Sequence, residues 1–405
     1  MVERTTIGED TFDKLRLNSP THGWFPALQN LCWIITRSNL PHASSFFSPH
    51  LKKVSIYMSR SWSSFNIPHD LLPAIASTIS MIPASNLQLL HVGVDPCRVS
   101  WPYFKDSVSS VVLRCEPSLT DLNSPIPLSD AAINHLIQLP HLTAWCTEGP
   151  PPSYPDLPSP LVLPPLTDLS LDDSAACKWL PLFRRLERSV PTVQTVTPLS
   201  KMKKSLRSLS VEDTSGSIID VTFTSTIQMF SNLVTLQAEM YCHDDGEEGE
   251  CTFKLNNDDV AKFAMSLPQI EYLLLGYPCA KNTCATTVAC LVPISAYCVK
   301  LRDLGIHFNT TNILDDLESV SKDPKFQALR SLPRRALTRL NVYYTPLALD
   351  GLDLETAVKG MVDIFPSLER CGSAPRADRV WGTISGIIDK LRGNERSRRA
   401  FLERG

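Results

Sequence analysis

The stretch Leu267-Pro268-Gln269-Ile270-Glu271-Tyr272-Leu273-Leu274-Leu275 contains the pattern that decides the fold. An apolar residue and a proline precede three aliphatic positions, Ile270, Leu273 and Leu275, which are separated by two spacers and then by one. A helix does not easily continue into proline, and the residue before proline prefers an extended backbone. The pattern therefore predicts that a helix ends near Leu267 and that a short strand follows, with alternate side chains turned into a core.

Copies of this pattern recur along the chain. The proline junction occurs at Phe25-Pro26, Leu139-Pro140, Leu163-Pro164, Leu267-Pro268 and Phe365-Pro366. The aliphatic positions that start each copy lie at residues 28, 51, 87, 108, 142, 166, 206, 233, 270, 301, 337 and 368. At this composition roughly ten aliphatic triplets but only about one proline junction are expected by chance. The junctions, more than the triplets, therefore indicate a repeat.

Helical segments stand where such a repeat needs them. Residues 129–139, 257–267 and 353–365 carry apolar side chains at helical spacing, and each leads into a proline junction. We expect these helices to begin behind Ser129, behind Asn257 and Asp258, and with Asp353 as the candidate N-cap. Steps between the starting positions run from 21 to 40 residues, whereas regular leucine-rich repeats use about 20–29. The fold class predicted is α/β: an irregular leucine-rich-repeat solenoid, or horseshoe, with parallel strands on the concave face.

The domain organisation follows from the same pattern. Residues 1–24 are predicted to be an N-terminal flank, 25–371 the solenoid, and 372–405 a C-terminal capping helix with a basic tail. The cap is predicted from an apolar stripe at Val380, Trp381, Ile384, Ile387, Ile388 and Leu391. The arginines after it are interpreted as a solvated helix end, with contact to an acidic partner as the alternative.

Charge and hydropathy limit the kinds of partner and the compartment that we expect for this chain. The formal net charge is -3, so we expect no nucleic acid and no anionic membrane surface as partner. No apolar run reaches the roughly 18 residues that a membrane span needs, and residues 1–10 have no apolar core of a signal peptide. We therefore expect a cytoplasmic or nuclear protein whose twelve cysteines are reduced.

Catalytic, cofactor and metal signatures are not found in the sequence. Gly382 to Gly386 resembles a nucleophile elbow around Ser385, but it lacks the G-x-S-x-G spacing and lies in the predicted cap helix. A metal site at Cys279, Cys284, Cys290 and Cys298 lacks the short cysteine pairs of structural zinc, which favours core or loop cysteines. We predict no enzyme, no cofactor and no metal.

Two loop segments leave alternatives open. Residues 149–165 are rich in proline and suit either a stiff loop between repeats or a polyproline ligand of an SH3-type partner. Residues 243–250 carry five carboxylates between Cys242 and Cys251. We interpret them as a solvated turn, with calcium or a basic partner as the alternatives.

A protein partner on the concave face is the predicted function, because a sheet of parallel strands offers a broad preformed surface. Contacts would come from the outward strand positions between the inward aliphatics. We predict the following binding residues, with plain solvated surface as the alternative for any one of them: Lys52, Lys53, Arg207, Arg302, Asp303 and Arg339, with Ser55, Ser208, Thr338 and Asn341 as further candidates.

Several phrases resemble the repeat region of fungal F-box leucine-rich-repeat proteins. They are Trp24-Phe25-Pro26-Ala27-Leu28-Gln29-Asn30-Leu31, Phe46-Phe47-Ser48-Pro49-His50-Leu51 and Leu136-Ile137-Gln138-Leu139-Pro140-His141-Leu142, together with Val380-Trp381-Gly382. The resemblance implies the substrate-recognition part of a ubiquitin-ligase subunit, whose F-box docks on a Skp-type adaptor.

Residues 1–24 do not resemble an F-box. The resemblance therefore implies a Skp-type adaptor as partner only if an F-box lies upstream. The segment Ile67-Pro68-His69-Asp70-Leu71-Leu72 looks like the opening of an F-box, but its continuation serves equally well as a repeat helix. A leucine-rich-repeat scaffold unrelated to ubiquitination is the alternative function.

Overall fold

The computed structural model describes residues 25–58, 70–93, 101–148, 164–172, 204–213, 218–240, 251–276, 284–324, 327, 337–342, 351–372 and 383–392. The chain divides into two compact units. Unit 1 comprises Met1–Trp179 and Arg185–Ser205, and unit 2 comprises Leu180–Arg184 and Leu206–Gly405.

Unit 1 contains six parallel strands that pair in chain order. They are β1 Asn30–Ile35, β2 Lys53–Met58, β3 Leu89–Gly93, β4 Asp121–Ser124, β5 Ala144–Glu148 and β6 Asp168–Asp172. The described helices between them are a 3-10 helix at Leu40–Phe46, α1 Leu72–Ser80, α2 Trp101–Arg114 and α3 Asp130–Leu136.

Unit 2 repeats this plan with six more parallel strands that pair in chain order. They are β7 Ser208–Asp213, β8 Thr235–Met240, β9 Tyr272–Leu275, β10 Asp303–Ile306, β11 Arg339–Val342 and β12 Arg370–Gly372. Its described helices are α4 Val221–Ile227, α5 Asn257–Ser266, a 3-10 helix at Val288–Cys290, α6 Leu291–Tyr297, α7 Ile313–Lys322, α8 Gly351–Ile364 and α9 at 383–392.

Four of the five proline junctions lie wholly within the described residues, and each of them is a turn that leads into a strand. In the starting stretch the N–H of Ile270 donates to the carbonyl of Leu267 at 3.2 Å, and Pro268 takes the second position of the turn, where its fixed φ fits. The same bond joins Leu28 to Phe25 at 3.0 Å and Leu368 to Phe365 at 2.9 Å. The junctions therefore mark strand entries, as the sequence predicts.

The aliphatic triplets form the core. Ile270, Leu273 and Leu275 are at most 1% exposed, and the triplets starting at Leu51, Leu87 and Leu206 are equally buried. Complete burial of a leucine stabilises a fold by about 1.5–3 kcal/mol relative to exposure. One layer of buried side chains per strand therefore supplies much of the stability of each unit.

One predicted strand is wrong. The triplet Val108-Val111-Leu113 lies inside α2, where Val108 and Val111 are buried and Leu113 is 45% exposed. The strand of this repeat is β4, and its buried positions are Leu119, Leu122 and Ser124. With this correction the steps between starting positions run from 23 to 40 residues.

Backbone hydrogen bonds between the residues just before neighbouring strands connect one repeat to the next within each unit. The carbonyl of Lys52 accepts the N–H groups of both Gln88 and Leu89, at 2.7 and 3.0 Å. In unit 1 a threonine reinforces this connection: the Thr143 hydroxyl donates to the carbonyl of Thr120 at 3.1 Å, and the Thr167 hydroxyl to that of Thr143 at 3.1 Å.

The three predicted helices are present with shifted ends. Ser129 caps α3 by accepting from the N–H of Ala132, as expected. Asn256 caps α5, one residue before the position predicted. Asp353 lies within the first turn of α8 and is not its N-cap, so its carboxylate interacts with the helix dipole instead.

Asn256 is expected to contribute measurably to unit 2. Its side chain accepts from the N–H of Asp259 at 2.9 Å, while the Asp259 carboxylate accepts from the N–H of Asn256 at 3.3 Å. Asn256→Ala removes this capping box and should lower the free energy of unfolding by about 1 kcal/mol. Asn256→Asp keeps an acceptor and should leave it nearly unchanged; equal losses in urea titrations of both variants would contradict the capping role.

The predicted C-terminal helix packs on the last repeat. Ile384 and Ile388 are fully buried in α9. The Ser385 hydroxyl donates to the carbonyl of Cys371 at 2.5 Å, and Arg392 donates to the carbonyl of Pro366 at 3.3 Å. Val380 and Trp381 of the predicted stripe lie outside the described residues. The helix covers β12, which is the role expected of a terminal cap.

These features define the fold class as an α/β leucine-rich-repeat solenoid, with parallel strands, intervening helices and a C-terminal capping helix. The bounds proposed for the flank, the solenoid and the capping region remain a prediction. No helix among the described residues is long and apolar enough to cross a membrane.

Candidate protein-binding surface

In unit 1, and at β7 and β8 of unit 2, one side of the parallel sheet is packed against the core and the other is open; at β9 and β10 the positions Leu274 and Gly305 on that second side are buried as well. Along β2 the side chains alternate, with Val54 and Ile56 buried and Lys53, Ser55 and Tyr57 exposed or half-buried. The remaining strands of unit 1 show the same alternation at described positions, as do β7 and β8 in unit 2. We call the open sides the unit 1 strand face and the unit 2 strand face.

The two lysines predicted as binding residues belong to unit 1. Lys52 lies immediately before β2, and its carbonyl accepts the backbone hydrogen bonds from Gln88 and Leu89 of the next repeat. Lys53 is the first residue of β2. Both side chains are exposed. They are accessible, but nothing in their geometry ties them to a site.

The four charged residues predicted in unit 2 make polar contacts within the unit. Arg207 donates to the carbonyl of Asn232 at 3.3 Å. Arg302 lies 3.8 Å from the carboxylate of Glu271, and Arg339 lies 3.5 Å from that of Asp303. Because exposed ion pairs contribute only about 0–1 kcal/mol, these side chains are still available to a partner.

A hydroxyl–imidazole pair occupies the unit 1 strand face. The Tyr57 hydroxyl lies 3.2 Å from Nδ1 of His91, and the two ring centroids are 4.8 Å apart at an interplanar angle of 62°. Gly93 pairs with Tyr57 across β2 and β3, and a Cβ at Gly93 would lie 2.7 Å from the Tyr57 ring. Glycine therefore leaves the space in which the Tyr57 ring lies.

Asp121 of β4 lies beside this pair. Partial burial is the main cause that raises the pKa of the Asp121 carboxyl, and the His91 imidazole opposes the rise while Asp168 adds to it. Burial also lowers the pKa of His91 from its ordinary value of 6.5, against the pull of Asp121. At neutral pH the His91 imidazole is therefore neutral, because its pKa lies below 6.5.

The unit 2 strand face carries a second polar cluster. Glu239 pairs with Glu212 across β7 and β8, and Gln237 donates to the Glu239 carboxylate at 2.5 Å. The pKa of Glu239 is raised, chiefly by burial and also by Glu212. Burial likewise raises the pKa of Tyr272, and Glu239 and Asp303 add to that rise. This part of the face is acidic.

Several of these residues were missed by sequence reasoning. Tyr57 and His91 lie in strands that were predicted, and the alternation of side chains in those strands placed both residues on the open side. That they contact each other depends on the register of β2 and β3, which the sequence does not reveal. Asp121 was missed because its strand was assigned to residues of α2. The run Pro117-Ser118-Leu119 was the available signal, since a proline precedes an aliphatic residue there.

Three of the four cysteines of the metal alternative lie in the core. Cys284, Cys290 and Cys298 are at most 4% exposed, and Cys279 lies outside the described residues. Burial raises the pKa of Cys298 to about 12, so its thiol stays protonated. The described ranges contain no group of three or more histidine, cysteine, aspartate or glutamate side chains suited to a metal ion.

Comparison with known proteins adds little to this description. No protein-family model matches the sequence, and no curated protein matches it. Among solved structures, an internalin (inlF) of Listeria monocytogenes is 12% identical, with 94% of this chain and 87% of that chain covered and a TM-score of 0.38. A protein of Bacteroides fragilis is also 12% identical, with 82% and 67% covered and a TM-score of 0.27. The fold assignment therefore rests on strand pairing and burial.

Proposed function

We propose that the chain is a non-catalytic protein-binding module that contacts its partner through the strand faces. The observation that carries the proposal is the open side of the parallel strands, where half-buried side chains stand in register across neighbouring strands. Such a surface is preformed, so a partner does not have to order it on binding. Aromatic side chains such as Tyr57 and Tyr272 are typical of residues that dominate binding energy.

Bulky substitutions on the strand faces should weaken binding. Ser55 of β2 and Ser210 of β7 are half-buried on the open sides of units 1 and 2. A partner is first selected from a display library with the intact chain. Ser55→Tyr or Ser210→Tyr should then raise its Kd at least about tenfold, because the added ring holds the partner away from the strands.

Matched controls lie on the helices. Ser110 of α2 and Ser225 of α4 are exposed and away from the strands. Ser110→Tyr and Ser225→Tyr should leave the Kd unchanged. If all four variants bind the partner like the unaltered chain, or if only the helix variants weaken binding, the contact does not lie on the strand faces and the proposal fails.

The resemblance to fungal F-box proteins favours a role in substrate recognition for a ubiquitin ligase. This finer role predicts that a chain carrying an F-box upstream of these repeats co-purifies with a Skp-type adaptor, and that partners of the strand faces become more abundant when the protein is removed. The alternative, a scaffold unrelated to ubiquitination, predicts no adaptor and no change in partner abundance. Localisation in the cytoplasm or nucleus belongs to both versions.

A further inference from the structure

Asp121 stands out among the charged residues of the unit 1 strand face. It is the first residue of β4, and its side chain is half-buried on the open side of the sheet. Its carboxylate makes no hydrogen bond and no ion pair with any residue in the part of the chain that the structure describes. A partly desolvated carboxylate without a partner costs stability, and a cation brought to it would recover that cost.

The surroundings of Asp121 suit one kind of cation. Ala144 is its neighbour on β5, and Asp168 follows on β6, so a residue with only a methyl side chain separates two carboxylates. The Asp168 carboxylate accepts one hydrogen bond, from the Thr167 hydroxyl at 2.7 Å. Strands lie about 4.8 Å apart, which puts the two aspartate backbones about 10 Å from each other. The described ranges hold no group of three or more histidine, cysteine, aspartate or glutamate side chains that could bind a metal ion, which favours an organic cation here.

On β3 the residue opposite Asp121 is Leu89, and His91 lies two residues further along the strand, opposite Asn123. His91 lies on the neighbouring strand and is held by the Tyr57 hydroxyl, so its imidazole is oriented before any partner arrives. A neutral imidazole and a phenol ring attract a flat cation by stacking and by the charge distribution of the rings. An arginine side chain combines a planar face for these rings with several N–H donors for carboxylates, and a lysine does not.

We propose that the unit 1 strand face binds an arginine-bearing segment of a partner protein, with the guanidinium on Asp121 between the Tyr57–His91 pair and Asp168. This inference rests on the proposed function and names the chemistry of the partner. The Gly93 backbone makes room for the Tyr57 ring, and Ala144 leaves the space that the guanidinium enters. Lys53 is separated from Asp121 by Leu89 in the register of β2 to β4.

The test selects binding peptides from a random display library with the full chain, and measures the Kd of one selected peptide by calorimetry. Arginine should be enriched at one position, and its replacement by lysine should weaken binding about tenfold. Asp121→Asn should weaken the arginine peptide by about tenfold or more, and Tyr57→Ala by several-fold. Asp106→Asn, on the exposed side of α2, is the matched control and should leave the Kd unchanged.

The pH dependence of the Kd is a second readout. The thermal midpoint is measured at each pH, so that weaker binding is distinguished from loss of folding. Tyr57 of β2 and Asp121 of β4 are the titratable groups that the structure shows interacting with His91. Burial lowers the pKa of His91 from 6.5, so its protonation requires more acidic conditions; it then adds a positive charge beside the guanidinium, and protonation of Asp121 removes its negative partner. Both changes weaken binding, so the Kd should rise as the pH falls from 7 towards 5.

The outcomes separate this inference from the proposed function. If the selected peptides lack arginine, or if Asp121→Asn binds like Asp106→Asn, the arginine site is overturned. If those peptides nevertheless lose affinity in Ser55→Tyr, the strand face still binds protein and the proposed function stands. If they bind equally well to Ser55→Tyr, Ser210→Tyr and the unaltered chain, both the arginine site and the proposed function fail.

Discussion

Leu90→Ala is expected to lower the free energy of unfolding of unit 1 by about 3 kcal/mol, whereas Leu89→Ala lowers it by less than about 1 kcal/mol. The two leucines are neighbours on β3 and differ only in the side of the sheet that they face. Leu90 is fully buried, and Leu89 is half-exposed on the strand face. Removing Leu90 leaves a cavity in addition to the lost burial, while removing Leu89 does not.

Denaturant titration of both variants measures this difference. A loss of similar size for the two leucines would show that β3 is buried on both sides, or that its register is shifted by one residue. Either result would contradict the open strand face. The comparison is well controlled because the same side chain is shortened in the same strand. Helix propensity and chain composition therefore do not contribute to the difference between the two variants.

Gly276→Ala is expected to lower the free energy of unfolding of unit 2 by about 1–3 kcal/mol. Gly276 has a φ of +92°, a conformation that side-chain-bearing residues rarely adopt. An added Cβ would also lie 3.3 Å from Cβ of His307 and 3.3 Å from the Phe253 ring, and both of those residues are buried. Strain and crowding therefore act in the same direction.

Gly386→Ala is the matched control for this prediction. Gly386 lies on the exposed side of α9, and a Cβ there would meet nothing within 4 Å. Alanine is a better helix former than glycine by about 1 kcal/mol, so this variant should be neutral or more stable. Thermal unfolding of the two glycine variants checks the opposite signs; a stabilised Gly276→Ala would contradict the turn after β9.

The strands were predictable because the junction has a strong physical cause. Proline ends the helix, and the turn that it forms delivers the next aliphatic residue into the core, as at Leu267 and Ile270. The strand β4 was not predictable from aliphatic triplets, since its third buried position is Ser124, 1% exposed, whose hydroxyl accepts from the N–H of Ile126. β5 ends its triplet on a polar residue as well, at Thr147.

The false strand has an equally simple explanation. Val108 and Val111 lie three residues apart, which suits one face of a helix as well as the first step of the triplet. The sequence around them continues with Val112, which is also buried, whereas the third triplet position Leu113 is exposed. Spacing alone does not distinguish the two periods over so short a run.

The candidate surface was predictable in position but not in composition. The alternation of strand residues correctly placed Lys53 and Arg339 on the open sides. The arrangement of Tyr57, His91 and Asp121 depends on the register of three strands whose intervening segments differ in length, so pairwise spacing in the sequence did not reveal it. The prediction therefore favoured exposed charges, while the structure draws attention to half-buried groups.

Oxidative footprinting of tyrosines, with and without a selected protein partner, tests the use of the strand faces most directly. Tyr57 and Tyr272 are half-buried on the strand faces of units 1 and 2, while Tyr103 of α2 and Tyr297 of α6 are 50% and 46% exposed on helices. Binding should protect Tyr57, Tyr272 or both and leave Tyr103 and Tyr297 as reactive as before. Protection of Tyr103 or Tyr297 alone, with both strand-face tyrosines unchanged, would contradict binding through the strands.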